Sequence, residues 1–237
     1  GTSARWTTHA PHRQTVSKSQ FLRLNESEAV LRHFYEIGYS VEDVRSTAQP
    51  VPRVYLSKMP TDLDEVDEIK TRKQLFLAAL LPAILQVNEE IRESRRRLVA
   101  ISSCRRSAYP LAQHVREWID DPAASYRSKP DVETLLLKVA EVPPSMALAQ
   151  AAVESGWGMS APAQNGNSLF GQYMVDDDGS GPKKKAKLRL ASFDTVLAAV
   201  QSYADNLNSH PAYSGFRELR AEMLLRGQPL DGMKLIE

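Results

Sequence analysis

The longest periodic pattern of apolar residues begins near Leu63 and continues to about Ile101. Apolar residues recur there at helical spacing and follow one helix face. They include Leu75, Ala79, Ile84, Val87 and Ile91. The apolar run LFLAALLPAIL within this segment is about half the roughly 20 residues that a membrane-spanning helix needs. We therefore predict a long core helix, with a kink or a new start at Pro82.

A second helix is predicted from Pro144 onward, where small residues replace large ones. Proline suits a first helical turn because its missing N–H has no partner there, and Gly156 and Gly158 end the pattern. One face of this helix carries Ala147, Gln150, Ala151 and Glu154. The alanines allow close packing, so Glu154 is expected in the last turn of a buried helix.

That position gives Glu154 a chemical use. A helix C-terminus carries partial negative charge and an apolar setting disfavours ionisation, so both favour the protonated carboxylic acid. A general acid needs this form to protonate a leaving glycosidic oxygen. The alternative is an ordinary helix-end carboxylate that is solvated or paired with an arginine.

Shorter patterns predict the other elements. Further helices are expected over residues 26–37, 110–119, 131–141, 193–209 and 210–227. Two strands, over 169–175 and 183–192, are expected to form a hairpin around an Asp-Gly turn. The chain is thus predicted to be mainly α, in an α+β arrangement.

We divide the chain into three predicted regions. Residues 1–60 are polar and interrupted by prolines, which indicates a partly ordered N-terminal arm. Residues 61–130 are expected to form a helical segment that packs on a domain formed by residues 131–237, which contains Glu154.

Aromatic and amide residues follow Glu154 closely. Aromatic faces pack on the C–H faces of pyranose rings, and amides exchange hydrogen bonds with hydroxyl and acetamido groups. The candidate sugar-binding residues are Trp157, Asn167, Phe170, Gln172 and Tyr173. A core aromatic cluster is the alternative for each aromatic residue taken singly.

Composition narrows the function class. The 30 basic residues nearly balance the 29 acidic ones, so no overall electrostatic field favours the binding of nucleic acid. The single cysteine, Cys104, excludes an intramolecular disulfide. The chain contains no histidine-pair ligand motif and no glycine-rich phosphate loop, so we predict neither a metal nor a cofactor.

Three motifs together resemble one family. They are AQAAVESGWG with Glu154, NSLFGQY at Asn167–Tyr173, and VQSYADNLNSHPAY at Val200–Tyr213. The chain resembles the glucosaminidase (mannosyl-glycoprotein endo-β-N-acetylglucosaminidase-like) domain of bacterial autolysins, and more narrowly the Bax family. The resemblance implies a lysozyme-like fold in which a helical lobe and a small β-hairpin lobe flank a cleft.

The same resemblance implies a function and site residues. It implies cleavage of the β-1,4 bond after N-acetylglucosamine in peptidoglycan glycan strands, with Glu154 as the general acid. It also implies that Tyr203 lies in the active-site cleft and that Tyr213 belongs to a second signature. A location in the bacterial cell envelope, expected to be periplasmic, follows from the resemblance alone, since no signal peptide is visible at Gly1.

The second catalytic group is open at this point. Related domains take a second carboxylate from the hairpin, where Asp176, Asp177 and Asp178 are available, with Asp177 the candidate. The same Asp-Asp-Asp-Gly sequence is typical of a solvated turn, and the substrate's own acetamido group could assist instead. A muramidase or lytic transglycosylase, and a non-catalytic peptidoglycan-binding scaffold, are the alternative functions.

Overall fold

The computed structural model describes residues 16–105, 112–176 and 187–235. These residues are mainly helical and include two small sheets. The helices are α1 (Ser27–Glu36), α2 (Val41–Thr47), α3 (Ile69–Arg105), α4 (Gln113–Ser125), α5 (Val132–Lys138), α6 (Pro144–Glu154), α7 (Ala161–Gly166), α8 (Val196–Ser209) and α9 (Ser214–Leu225). The strands are β1 (Phe21–Leu22), β2 (Tyr55–Leu56), β3 (Tyr173–Asp176) and β4 (Lys187–Leu190).

The described chain divides into two compact units. One contains residues 16–86 and 144–203, and the other contains residues 87–143 and 204–235. The domain boundaries predicted at residues 60 and 130 differ from the boundaries between these two units. The predicted domains stay a prediction.

The first unit contains α1, α2, α6, α7, both sheets and the first half of α3. Its core includes fully buried side chains of α3, namely Leu75, Phe76, Leu80 and Ile84. The long core helix is confirmed, but α3 is continuous, with Pro82 inside it, so the new start is not observed.

Residues 16–60 of the predicted arm contribute to this core. Strand β1 pairs in parallel with β2, with Phe21 opposite Tyr55. Tyr55 is buried, and its hydroxyl donates to Gln86 Oε1 at 2.9 Å. Val30 and Phe34 of α1 are buried as well. The described part of the arm is therefore packed, and α1 agrees closely with the helix predicted over 26–37.

The second unit is organised around Arg220 of α9, which has no exposed surface. Its guanidinium donates to Asn208 Oδ1 at 2.7 Å and to main-chain carbonyls at the end of α5 and just beyond it, those of Leu137, Lys138, Ala140 and Glu141. Burial, with smaller contributions from Arg95 and Arg217, lowers the pKa of Arg220 to about 9. Carbonyls that α5 leaves without intrahelical partners thus find a donor.

The hairpin is confirmed as an antiparallel pair, with Tyr173 opposite Leu190 and Asp176 opposite Lys187, but its first strand begins at Tyr173 rather than at residue 169. Its predicted Asp-Gly turn lies outside the described residues. Helix α8 begins later than predicted because Thr195 Oγ1 accepts from the Ala198 N–H at 3.0 Å, which fixes the first turn there.

Candidate functional site

The site is built on the end of α6. The Gly156 N–H donates to the Val153 carbonyl at 3.4 Å, and the Trp157 N–H donates to the Ala152 carbonyl at 2.8 Å. This pair of bonds is a Schellman ending, and Gly156 has the left-handed φ of 57° that it requires. Glu154 is therefore the last residue of the helix, within the last turn that the sequence predicts for it.

Ser155 fixes the turn that follows. Its side chain is fully buried, its hydroxyl donates to the Ala151 carbonyl at 2.6 Å, and it accepts from the Gly158 N–H at 2.8 Å. Gly158 also has a left-handed φ, of 78°, and a Cβ there would lie 3.0 Å from Phe76 Cδ2. The glycine is needed for both conformation and space.

Trp157 packs against α3. It has a left-handed φ of 59°, which is uncommon for a residue with a side chain. Its ring makes an edge contact with Phe76, with ring centroids 5.8 Å apart, and Lys73 Nζ lies 4.7 Å from its centroid. The half-buried indole therefore already has an aromatic and a cationic neighbour. Its predicted role as a sugar-binding surface stays a prediction.

The Glu154 side chain is exposed, so the expectation of a buried carboxylate is wrong. The buried face of α6 is formed by Met146, Ala147, Ala151 and Ala152. Glu154 follows Ala147 and Ala151 on the same side of the helix, but it is the last helical residue and is exposed, as is the preceding Val153 at 80%. The helix is therefore buried on one face only, and its terminal carboxylate is exposed.

Gly171 lies directly against this carboxylate. A Cβ built on Gly171 would be 2.5 Å from Glu154 Oε2 and 3.2 Å from its Cδ. Gly171 also has a left-handed φ of 60°. Only a residue without a side chain allows this approach, which brings the NSLFGQY motif against the end of α6.

Phe170, Tyr203 and Gln150 form a connected group beside Glu154. The rings of Phe170 and Tyr203 are stacked, with centroids 4.0 Å apart and planes 10° from parallel. Both residues are buried. The Tyr203 hydroxyl donates to Gln150 Oε1. Since Gln150 and Glu154 are four residues apart on α6, they share one side of the helix.

The next two residues continue the loop into β3. Gln172 Nε2 donates to Ser202 Oγ at 3.3 Å, and the main-chain carbonyl of Gln172 accepts from the Ala191 N–H at 2.7 Å. Its side-chain oxygen is buried without a hydrogen-bond donor among the described residues. Tyr173 is 63% exposed. Their predicted substrate contacts stay predictions.

Asn167 has a different position from that expected of a sugar-binding amide. It is 1% exposed, and Nδ2 donates to the carbonyls of Ser57 and Phe193, at 3.0 Å each. Its Oδ1 accepts from the Met59 N–H at 3.3 Å. Both amide donors are therefore used within the protein, and this side chain joins the motif to the N-terminal segment.

Tyr213 and Asp177 are the two remaining candidates. Tyr213 belongs to the other compact unit, in the 3-10 helix Pro211–Tyr213, where its ring makes an edge contact with His210. Asp177 lies outside the described residues. Within the described ranges, no group of three or more His, Cys, Asp or Glu side chains could hold a metal ion.

Sequence reasoning placed Gln150 on the same helix face as Glu154 without giving it a role, and it missed Gly171 and Lys73 as neighbours of the candidate residues. The helical spacing of Gln150 and Glu154 was the one available signal for Gln150. Gly171 is the glycine of NSLFGQY, but nothing local shows that Glu154 lies over it. Lys73 is 84 positions from Trp157, and no short-range pattern connects them.

Comparison with known proteins identifies the family of this chain. The Glucosaminidase family, described as mannosyl-glycoprotein endo-beta-N-acetylglucosaminidase, matches residues 134–228. "Protein bax" of Escherichia coli (strain K12) is 33% identical over 205 residues, which cover 84% of this chain and 69% of the relative. No solved structure matches the chain.

These findings confirm the predicted fold class, mainly α and lysozyme-like, and indicate a hydrolase acting on glycans. None of the described helices contains an apolar stretch of membrane-spanning length. The chain belongs to the Bax family of glucosaminidase-domain proteins.

Proposed function

We propose that this protein is an endo-β-N-acetylglucosaminidase that cleaves the β-1,4 bond after N-acetylglucosamine in peptidoglycan glycan strands. The observation that carries the proposal is the exposed Glu154 carboxylate at the end of α6, seated against the backbone of Gly171. The family match supports a glycan substrate. Peptidoglycan lies in the bacterial envelope, so the proposal includes an envelope location.

Glu154 is the general acid in this proposal. Its carboxylic acid gives a proton to the glycosidic oxygen as the bond to the anomeric carbon breaks. Water adds its hydroxyl to the anomeric carbon. The proton that the water releases passes to a basic group of the site. A glycan lying over the exposed carboxylate would exclude water from it, which strengthens electrostatic interactions within the closed site.

Tyr203 is a supporting residue in the same proposal. Its ring is fixed by the stack with Phe170 and its hydroxyl by Gln150. Such a preorganised group stabilises a reacting sugar without a cost of reordering at the moment of reaction. Asp177 stays a candidate for the second catalytic carboxylate, beside assistance by the substrate's acetamido group.

The test is the substitution Glu154→Gln, which keeps the size of the side chain but cannot supply a proton. Release of soluble fragments from peptidoglycan should fall about 100- to 10,000-fold, with the melting temperature unchanged. Glu36→Gln is the matched control, because Glu36 is also an exposed last residue of a helix. Full activity in Glu154→Gln would sink the assignment of the acid.

A further inference from the structure

Gln150 occupies a defined position one helical turn before Glu154. Its Oε1 accepts the hydrogen bond from the Tyr203 hydroxyl. The tyrosine ring is itself held by its stack with Phe170. Because the oxygen of the carboxamide is fixed toward Tyr203, its nitrogen is directed away from that hydroxyl.

The nitrogen of this carboxamide keeps its donor capacity. Gln150 Nε2 makes no hydrogen bond to another described residue, and the side chain is half-buried rather than enclosed. An amide nitrogen carries two N–H donors. The site therefore presents an oriented, uncharged donor on the same side of α6 as the Glu154 carboxylate.

We propose that Gln150 is a substrate-binding residue. Its Nε2 donates to the acetamido carbonyl oxygen of one sugar, and Glu154 protonates the glycosidic oxygen of that same sugar. This inference rests on the proposed function and names a residue that selects the N-acetylated sugar. Residues four apart on a helix are separated by about 6 Å along its axis. That span suits the glycosidic oxygen and the 2-acetamido oxygen, which are carried by adjacent ring carbons.

The chemistry of the donor selects the acetamido group. An amide carbonyl is a good acceptor for an N–H donor. A de-N-acetylated sugar presents an amine or ammonium at the same carbon, so two donors would face each other. Gln150 carries no charge, so it gives no ion pair to the carboxylate of a muramic acid lactyl group. The carboxamide thus favours N-acetylated over de-N-acetylated sugar.

The test measures binding and turnover with paired substrates. Binding of N-acetylglucosamine oligomers and of their fully de-N-acetylated counterparts is measured by calorimetry. Turnover is measured on peptidoglycan before and after chemical de-N-acetylation. The variants are Gln150→Met, which removes donor and acceptor at similar size, and Gln150→Glu, which keeps an acceptor for Tyr203 but has no donor. Gln164→Met is the control, since Gln164 is half-buried on α7 and its side chain makes no hydrogen bond to another described residue.

The wild type and Gln164→Met should prefer the N-acetylated ligand about tenfold, and both Gln150 variants should lose that preference. Circular dichroism identifies any variant that fails to fold, and the second Gln150 variant then decides. Equal losses on both ligands, or no loss, would overturn the inference, as would absence of binding by the wild type. Preferential binding that depends on Gln150 without any turnover would support the inference while refuting the proposed hydrolase.

Discussion

The close approach of Gly171 to Glu154 leads to the most specific prediction for the site. In Gly171→Ala, the new Cβ would lie 2.5 Å from Glu154 Oε2, whereas ordinary contact begins at 3.4 Å. The carboxylate must therefore move by about 1 Å, and it can do so because it ends a flexible exposed side chain. A misplacement of about 1 Å can cost about 100-fold in rate, so we expect a fall in turnover of that order.

The stability cost of the same change should be modest. Gly171 has a left-handed φ of 60°, and an alanine in that conformation costs about 1–2 kcal/mol. For a chain of this size, such a loss lowers the melting temperature by about 2–8 °C. Gly227→Ala is the matched control, since its φ is 64° and no atom lies within 4 Å of the added Cβ.

The assay is the initial rate of soluble fragment release from peptidoglycan, measured below the melting temperature of every variant. Both variants should show a similar loss of melting temperature, but Gly171→Ala alone should lose turnover about 100-fold. Equal activity of the two alanine variants would refute the reasoning, because the carboxylate position would then not matter.

The remaining predictions concern stability and are tested by denaturant unfolding. Asn167→Ala should cost about 3 kcal/mol, since its buried amide makes three hydrogen bonds to the main chain; a loss below about 1 kcal/mol would contradict this. Arg220→Met should cost about 3 kcal/mol because several buried carbonyls lose their donor, and an unchanged midpoint would show that the guanidinium contributes little. Tyr39→Phe should cost about 1 kcal/mol at neutral pH, since the buried Tyr39 hydroxyl donates to the Ala78 carbonyl at 3.1 Å. Burial raises the pKa of Tyr39 above its ordinary value of 10.0, so the folded state favours the protonated phenol. The stability that the Tyr39 hydroxyl contributes is therefore lost as pH rises above 10. A cost of Tyr39→Phe that stays constant through this range would contradict the predicted direction of the pKa shift.

The residues at its two ends made α6 predictable from the sequence. Pro144 begins the helix and Gly156 provides the left-handed residue at its end, and both act within a few residues of the chain. The hairpin followed in the same way from alternation in β4. Periodicity also gave the buried alanine face of α6, but it could not show how far the packing extends toward Glu154.

Contacts between distant segments could not be predicted. Asn167 bonds to Ser57 across 110 positions, so the N-terminal segment holds the motif through atoms that no local pattern relates. The Tyr203 bond to Gln150 spans 53 positions. Arg220 shows a second limit, since an arginine in an amphipathic helix is expected at the surface, while its burial depends on carbonyls from residues 137–141.

The most direct test of the central claim identifies the reducing ends that the protein creates. Purified protein is incubated with peptidoglycan sacculi, and the soluble products are analysed by mass spectrometry, with Glu154→Gln as the inactive control. The account predicts fragments ending in N-acetylglucosamine that are absent from the Glu154→Gln digest. Fragments ending in N-acetylmuramic or anhydro-muramic acid, or no fragments at all, would contradict it.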